Sequence, residues 1–171
     1  MKTLIAASAV IALCACQTMS PSGPRASADL KPTKGSNTSG HATFTQAGDK
    51  VRVVVEVQGL KPGAEHGFHI HEVGDCSSGD GMSTKGHFNP FSKAHGHYTS
   101  AEHHAGDLPS LKADNTGRAK LNVDIPMISV TPGAGSVVGR GLIVHADPDD
   151  YKTQPTGNAG ARLACAVIQA S

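Results

Sequence analysis

Residues 66–76 read HGFHIHEVGDC and place two histidines, His69 and His71, at alternate positions of an apolar segment. Alternate side chains of a strand point to the same side. Phe68 and Ile70 would therefore face one way, and His69 and His71 the other. Two imidazoles at this spacing can converge on one point. The pair is either a set of buried polar groups with hydrogen-bond partners or part of a metal site.

The surrounding sequence predicts an all-β fold. The valines at positions 51, 53, 55 and 57 alternate with mostly polar positions, which is the period of a half-buried strand. The chain has 20 Gly and 10 Pro, no convincing helix pattern and no internal repeat. We predict an antiparallel Greek-key β-sandwich or flattened barrel of about eight strands. Strands are expected at 41–46, 51–58, 65–72, 110–113, 119–123, 125–130, 141–145 and 163–168.

Two long segments interrupt the strand pattern, at 73–109 and at 146–161. Loops of this length are uncommon in compact domains and are usually functional or disordered. Six of the ten histidines lie in the first loop or at its edge. A histidine-rich loop can be a solvated surface, but this clustering favours a loop organised by something other than a hydrophobic core.

The first 16 residues resemble a secretory signal, because an apolar run too short to span a bilayer follows Lys2. Within it, Leu13 to Cys16 resembles a bacterial lipobox in which Cys16 would carry the lipid. Soluble secretion remains the alternative, since Cys14 departs from that pattern. Residues 17–36 are interpreted as a flexible tether, with a strand start at Asp29 left open. The folded domain is expected at 37–171.

Charge and cysteine content restrict the binding partners of the protein and the cellular compartment in which it can fold. The chain has 15 Lys and Arg against 14 Asp and Glu, which predicts no nucleic-acid surface. Beyond the leader only Cys76 and Cys165 remain. In an oxidising compartment two cysteines most simply form one disulfide, the alternative being two free thiols.

Several distant residues extend the histidine pair towards a metal-binding set. His87, His95, His104 and Asp107 lie in the first long loop, and His145 ends a later strand. Neutral imidazole suits copper and zinc, and three histidines with one carboxylate suit tetrahedral zinc. For His69 alone, a hydrogen-bonded core histidine is the better interpretation. The complete set favours a metal.

Five motifs occur in order along the exported part: HGFHIHEVGDC, GHFNP, EHHAGDL, GLIVHADPDD and GNAGARLACAVI. Together they resemble the copper/zinc superoxide dismutase family. The resemblance implies a β-sandwich fold, one copper and one zinc per subunit, and the conversion of superoxide into oxygen and hydrogen peroxide. It also implies export, to the periplasm of a Gram-negative bacterium, with lipid anchoring to the membrane as an added expectation, and a homodimer rather than a monomer.

The same resemblance assigns roles to individual residues. The implied copper ligands are His69, His71, His87 and His145. The implied zinc ligands are His87, His95, His104 and Asp107, with His87 shared. Arg162 would guide the anion, Asp149 would brace one ligand of each metal, Thr156 would line the channel, and Cys76 and Cys165 would form the disulfide. By composition alone, Arg162 is a surface arginine and Asp149 a turn residue.

The remaining histidines and one rival function stay open. By resemblance His66 is structural, His41 is a surface residue, and His97 and His103 match no ligand position. His103 beside His104 leaves the zinc ligand ambiguous, although the spacing to Asp107 favours His104. The alternative function is a noncatalytic copper- or zinc-binding module on the same fold. Such a module would be expected to lose a copper ligand or the arginine.

Overall fold

The computed structural model describes residues 23–171, which form ten β-strands and one short 3₁₀ turn. The signal sequence, Cys16 and the start of the expected tether lie outside the described residues. Within this range there is no α-helix, and no helix long and apolar enough to cross a bilayer. The strands are β1 (Arg25–Pro32), β2 (Ser39–Ala47), β3 (Lys50–Gln58), β4 (Glu65–His66), β5 (Phe68–His71), β6 (Leu111–Lys112), β7 (Ala119–Ile125), β8 (Gly141–His145), β9 (Arg162–Val167) and β10 (Gln169–Ala170).

Eight strands form one curled antiparallel sheet in the order β5-β8-β9-β1-β2-β3-β7, with β10 also paired to β1. β1 joins the two halves of this sheet, because its first part pairs with β2 while Lys31 and Pro32 pair with β9. Strands far apart in sequence, such as β3 and β7, lie side by side. The expected all-β Greek-key fold is confirmed.

The core follows the alternation seen in the sequence. The four valines of β3 at positions 51, 53, 55 and 57 are buried, whereas Glu56 and Val54 are exposed. Phe44 of β2 and Phe68 of β5 are completely buried. Removing a buried phenylalanine side chain of this kind costs about 3–5 kcal/mol of folding free energy. The sheet therefore provides a rigid support for the loops.

The expected tether at 17–36 is wrong in its second half. Residues 25–32 form β1, which pairs with β2, β9 and β10. Ala26, Ala28 and Leu30 are buried in the core at alternate positions. Their period-two pattern is weak in the sequence because two of the three buried side chains are only alanine. The folded part of the chain thus includes residues 25–32, which the expected boundary at 37 had left out.

Two strand predictions also need correction. The strand expected at 125–130 is absent, because β7 ends at Ile125 and the next residue, Pro126, has no N–H for the ladder. The strand expected at 65–72 is broken at Gly67 into β4 and β5. A Cβ at Gly67 would lie 2.8 Å from the Cβ of Ala159. Glycine is needed there because the second long loop packs directly onto the chain.

A disulfide joins Cys76 in the first long loop to Cys165 in β9, which confirms the expected pairing. The two cysteines are 89 residues apart in sequence. Cross-links across long loops remove much of the conformational freedom of the unfolded chain. The bond also fixes the loop to the strand that begins with Arg162.

We predict that the double variant Cys76→Ser, Cys165→Ser loses about 4 kcal/mol of unfolding free energy, because closing a loop of this length restricts the unfolded chain by about 4.6 kcal/mol in the chain-entropy model. Urea unfolding of the metal-free protein measures this loss. Reducing agent should destabilise the natural chain to the same extent and leave the variant unchanged. Equal stability of the oxidised natural chain and the variant would contradict the prediction.

Candidate metal centre

Backbone pairing along the free edge of β5 positions the first long loop. The Ile70 N–H donates to the Gly106 carbonyl (2.9 Å), and the Ile70 carbonyl accepts from the Phe88 N–H (2.9 Å). This pairing sets His71 opposite His87 and His69 opposite Asp107 as isolated β-bridges. The loop residues thus arrive beside the histidine pair in a fixed register.

The first cluster contains four buried histidines: His69, His71, His87 and His145. One ring nitrogen from each lies within 4.8 Å of one from every other member. The Nε2 atoms of His71 and His145 are 3.4 Å apart. His69 Nδ1 and His87 Nε2 are buried and have no hydrogen-bond partner. Buried polar atoms are nearly always paired, so these two unpartnered nitrogens fit a metal-binding set.

The opposite ring nitrogens of this cluster are held by hydrogen bonds. His69 Nε2 donates to Asp149 Oδ2 (2.7 Å), and His71 Nδ1 donates to the Lys85 carbonyl (2.8 Å). His145 Nδ1 donates to the Gly160 carbonyl (3.3 Å). A donor bond on one nitrogen leaves the other as a free lone pair and fixes the ring orientation. The cluster therefore offers imidazole lone pairs, which suit copper.

The second cluster is built around Asp107. Its Oδ1 lies 2.8 Å from His87 Nδ1, 3.0 Å from His95 Nδ1 and 3.3 Å from His104 Nδ1. Its Oδ2 accepts the backbone N–H groups of His104 (2.8 Å) and Gly96 (3.2 Å). Three imidazoles and one carboxylate are the donors of a tetrahedral zinc site.

Hydrogen bonds keep Asp107 ionised. Burial would raise its pKa, but the bonds from His104, His87 and His95 outweigh burial and hold the pKa well below the usual range. A carboxylate that stays charged inside the protein needs cations or strong donors around it. The cluster supplies the donors, and a divalent metal would supply the cation.

His87 belongs to both clusters. Its Nδ1 points to Asp107, whereas its Nε2 is one of the two unpartnered nitrogens of the first cluster, and its ring centroid is 4.0 Å from that of His69. Burial, followed by the nearby His69, lowers the pKa of His87 to about 4 despite the opposing effect of Asp107. A neutral ring offers one lone pair to a metal, here at Nε2. To serve two metals, His87 would also have to give up its Nδ1 proton.

Asp149 connects the two clusters through a second route. Its Oδ2 accepts from His69 Nε2 (2.7 Å) and its Oδ1 from His95 Nε2 (2.9 Å). The Tyr151 N–H also donates to Oδ1 (2.7 Å). Burial raises the pKa of Asp149, but these bonds lower it overall. The carboxylate thus fixes one histidine of each cluster.

A cavity of about 250 Å³ opens onto the first cluster. It is lined by His71 and His145 and also by Thr156 and Arg162. The Arg162 guanidinium donates to the carbonyls of Gly81 (2.6 Å) and Lys85 (2.7 Å) and to the Thr84 hydroxyl (2.7 Å). These bonds fix a planar cation at the wall of the cavity, where a small anion would enter.

The other histidines lie outside both clusters. His66 is buried and its Nδ1 donates to the His145 carbonyl (2.8 Å), so it supports the backbone of a cluster residue. His97 contacts Tyr98 and Tyr151, and His103 Nδ1 donates to the Ser100 carbonyl (2.7 Å). His41 pairs with Asp29 at the surface. Of the His103–His104 pair, His104 is the residue that reaches Asp107.

Sequence reasoning missed the residues that hold the site through their backbone or through small size. Lys85 accepts from both His71 and Arg162 with its carbonyl, at a positive φ of 62°. A Cβ at Gly157 would overlap Asp149 Oδ1. Gln154 contacts the backbone of His95. Carbonyl acceptors leave no signal in side-chain type. Glycines such as those of the GNAG segment at 157–160 are a signal that can indicate a close approach of the backbone.

We predict that Asp107→Asn lowers zinc affinity by at least about 100-fold, the upper end of the loss caused by removing a partner of a metal ligand. The variant loses the only carboxylate of the second cluster, and an amide is a poorer ligand and cannot accept all the present hydrogen bonds. Chelator competition followed by metal analysis measures the change. Asp114→Asn is the matched control, since Asp114 accepts several hydrogen bonds in a turn away from the clusters. Unchanged zinc affinity in Asp107→Asn would show that the second cluster is not the zinc site.

Comparison with known proteins agrees with this geometry. Residues 38–168 match the family model described as copper/zinc superoxide dismutase. The chain is 40% identical over 146 residues to Cu-Zn superoxide dismutase 1 of Aquifex aeolicus (strain VF5), covering 83% of this chain and 86% of that protein. It is 43% identical over 135 residues to the Cu-Zn superoxide dismutase of Paramecium bursaria Chlorella virus 1, covering 75% and 71%.

A solved structure shows the same fold. The crystal structure of the clock protein EA4 superimposes with a TM-score of 0.77 at 40% sequence identity. The match covers 85% of this chain and 93% of that one. The family match, the relatives and the two histidine clusters lead to one conclusion: this chain belongs to the copper/zinc superoxide dismutase family.

Proposed function

We propose that this protein converts two superoxide ions and two protons into oxygen and hydrogen peroxide at its first histidine cluster. In this proposal copper is held by His69, His71, His87 and His145, and zinc by His87, His95, His104 and Asp107. The observation that carries it is that both complete donor sets are present and share His87. Copper supplies one-electron redox chemistry, and zinc supplies a fixed charge without redox change.

The donor set of the first cluster supports redox cycling. Imidazole is a good ligand for copper in both oxidation states, so the four histidines can retain the ion throughout turnover. The Lys85 and Gly160 carbonyls and Asp149 hold three of the rings in place. Rings fixed in advance need little rearrangement when charge changes at the site.

His87 is the proposed proton carrier. Its Nε2 lies in the first cluster and its Nδ1 in the second. Nε2 can take up a proton when it is not acting as a ligand and can pass that proton to the second superoxide. The second cluster holds the ring through Nδ1 during this step, which keeps Nε2 directed at the substrate.

Arg162 is the proposed anion guide, and Thr156 the proposed polar residue of the channel wall. The guanidinium is anchored by three acceptors and lines the same cavity as His71 and His145. Its positive charge attracts superoxide locally in a chain whose total charge is nearly neutral. The cavity, of about 250 Å³, is large enough to admit a diatomic anion to the first cluster.

Metal analysis combined with a superoxide-decay assay tests the function. We expect close to one copper and one zinc per chain and rapid decay of superoxide that is lost when copper is removed and restored when copper is returned. Zinc alone, with no activity after copper loading, would instead support a noncatalytic metal-binding module on this fold.

We predict that Arg162→Gln lowers kcat/KM for superoxide about 10- to 100-fold, because a guiding and stabilising cation is lost from the cavity. Both metals should remain bound. Arg118→Gln is the matched control: it removes the same charge from an exposed position outside this cavity, and we expect little change. Loss of copper from Arg162→Gln, or an equal effect of both variants, would contradict the guiding role.

We further propose export to the periplasm, directed by a signal sequence at residues 1–16. The Cys76–Cys165 disulfide supports an oxidising compartment, since such bonds are rare in the reducing cytosol. Lipidation of Cys16 would anchor the mature protein to a membrane. The mass of the N-terminal peptide distinguishes the outcomes: a lipid-modified Cys16 supports anchoring, and an unmodified terminus after cleavage supports soluble secretion.

The proposed assembly is a homodimer, by similarity to the family. Light scattering or sedimentation of the metal-loaded protein provides the test. A mass of two chains across a dilution series supports the proposal, and a mass of one chain overturns it.

A further inference from the structure

Gln154 makes a two-point contact with the backbone of His95. Its side-chain Oε1 accepts the His95 N–H (2.9 Å), and its Nε2 donates to the His95 carbonyl (2.9 Å). The two residues are 59 positions apart and lie in different long loops. One amide side chain therefore satisfies both backbone groups of a proposed zinc ligand, much as a neighbouring strand would.

Gly157 contacts the same histidine from another side. It has a φ of +67°, and a Cβ there would overlap both Asp149 Oδ1 and His95 Nε2. Gly157 thus packs directly over the hydrogen bond that joins Asp149 to His95. Only glycine allows the chain to approach so closely.

Thr156, which lies between Gln154 and Gly157 in the sequence, lines the cavity that leads to His71 and His145. The segment 154–157 therefore contacts a proposed zinc ligand on one side and forms the cavity wall on the other. Its shape is held by two bonds, from the Gly157 N–H to the Thr153 carbonyl (2.7 Å) and from the Asp150 N–H to the Gly157 carbonyl (2.9 Å).

A simpler role for Gln154 is to stabilise its own loop. Its Nε2 also lies 3.4 Å from the Lys152 carbonyl, and the residue is exposed at the surface. That contact is longer than either bond to His95, however. Stabilising its own loop would also not require the Gln154 side chain to contact the opposite loop. The two short bonds point to a link between loops.

We propose that Gln154 is a positioning residue that couples the zinc ligand His95 to the wall of the cavity on the copper side. The inference rests on the proposed function, because it takes His95 as a zinc ligand. Zinc fixes the His95 backbone, Gln154 holds segment 154–157 against it, and Thr156 is kept at the cavity wall. Without zinc, His95 keeps only its hydrogen bonds to Asp107, Asp149 and Gln154, and the wall is held less firmly.

Hydrogen exchange of the Gly157 amide measures this coupling in the copper-zinc and the copper-only forms of the protein. In the natural chain we expect zinc removal to speed exchange at least about tenfold. Segment 154–157 should open more readily once the two hydrogen bonds between Gln154 and His95 are weakened. In Gln154→Met, which has similar length but no hydrogen-bonding group, exchange should be fast in both forms and change less than about twofold.

By linkage, Gln154→Met should also lower zinc affinity severalfold. If zinc binding stabilises the ordered form of segment 154–157, then order in that segment must strengthen zinc binding to the same extent. Gln154→Glu keeps the acceptor for the His95 N–H but loses the donor to its carbonyl, so we expect an intermediate result in both measurements.

Gln46→Met is the matched control. Gln46 also bonds the backbone at both ends of its amide, to Val130 through Oε1 and to Gly48 and Lys50 through Nε2, but it lies away from both clusters. It should respond to zinc removal like the natural chain. Exchange of β2 and β3 amides verifies that each variant is folded.

A full zinc effect in Gln154→Met, or no zinc effect in the natural chain, overturns the proposal. Neither measurement depends on turnover. An inactive protein that shows the coupling would refute the proposed dismutation alone, and an active protein without it would refute only the role of Gln154.

Discussion

The site depends on the pairing of the first long loop with the free edge of β5. Ile70 bonds Gly106 and Phe88 with its two backbone groups, and this register sets His87 and Asp107 opposite His71 and His69. A slip of one residue would turn each loop side chain to the other face. Both clusters thus depend on main-chain hydrogen bonds that involve no metal.

Loop order is reinforced by covalent and polar links to the sheet. The disulfide ties the first long loop to β9, and Arg162 in the same strand bonds the carbonyls of Gly81 and Lys85. The Lys85 carbonyl also holds the ring of His71. One short stretch of loop therefore positions both an imidazole of the first cluster and the cation at the cavity wall. Any movement of that stretch would change metal binding and anion guidance together.

Much of the fold could be predicted because its strands show clear alternation. The valines of β3 and the FHIH segment of β5 indicated strands from residue type alone. β1 was missed because its buried face is built from Ala26, Ala28 and Leu30, and small side chains give a weak period. A separate strand was expected at 125–130 because an apolar run continues past Pro126, although proline cannot extend the ladder.

The residues of the candidate site were found by resemblance more than by pattern. The spacing of His69 and His71 supported only a general metal hypothesis, and nothing in the sequence alone brings His145 to them across 74 residues. The structure brings the expected metal ligands together in the two clusters, with Asp149 in contact with both and with Arg162 and Thr156 at the cavity. The supports that could not be predicted act through carbonyl groups or through the absence of a side chain, as at Lys85 and Gly157. Such contacts depend on the folded path of the backbone.

The proposed site requires His87 to lie between copper and zinc. Anomalous diffraction from crystals of the metal-loaded protein, recorded on both sides of the copper and zinc absorption edges, tests it most directly. We expect a copper peak among the ring nitrogens of His69, His71, His87 and His145, and a separate zinc peak among His87, His95, His104 and Asp107. A single peak, or peaks that do not both adjoin the ring of His87, would contradict it.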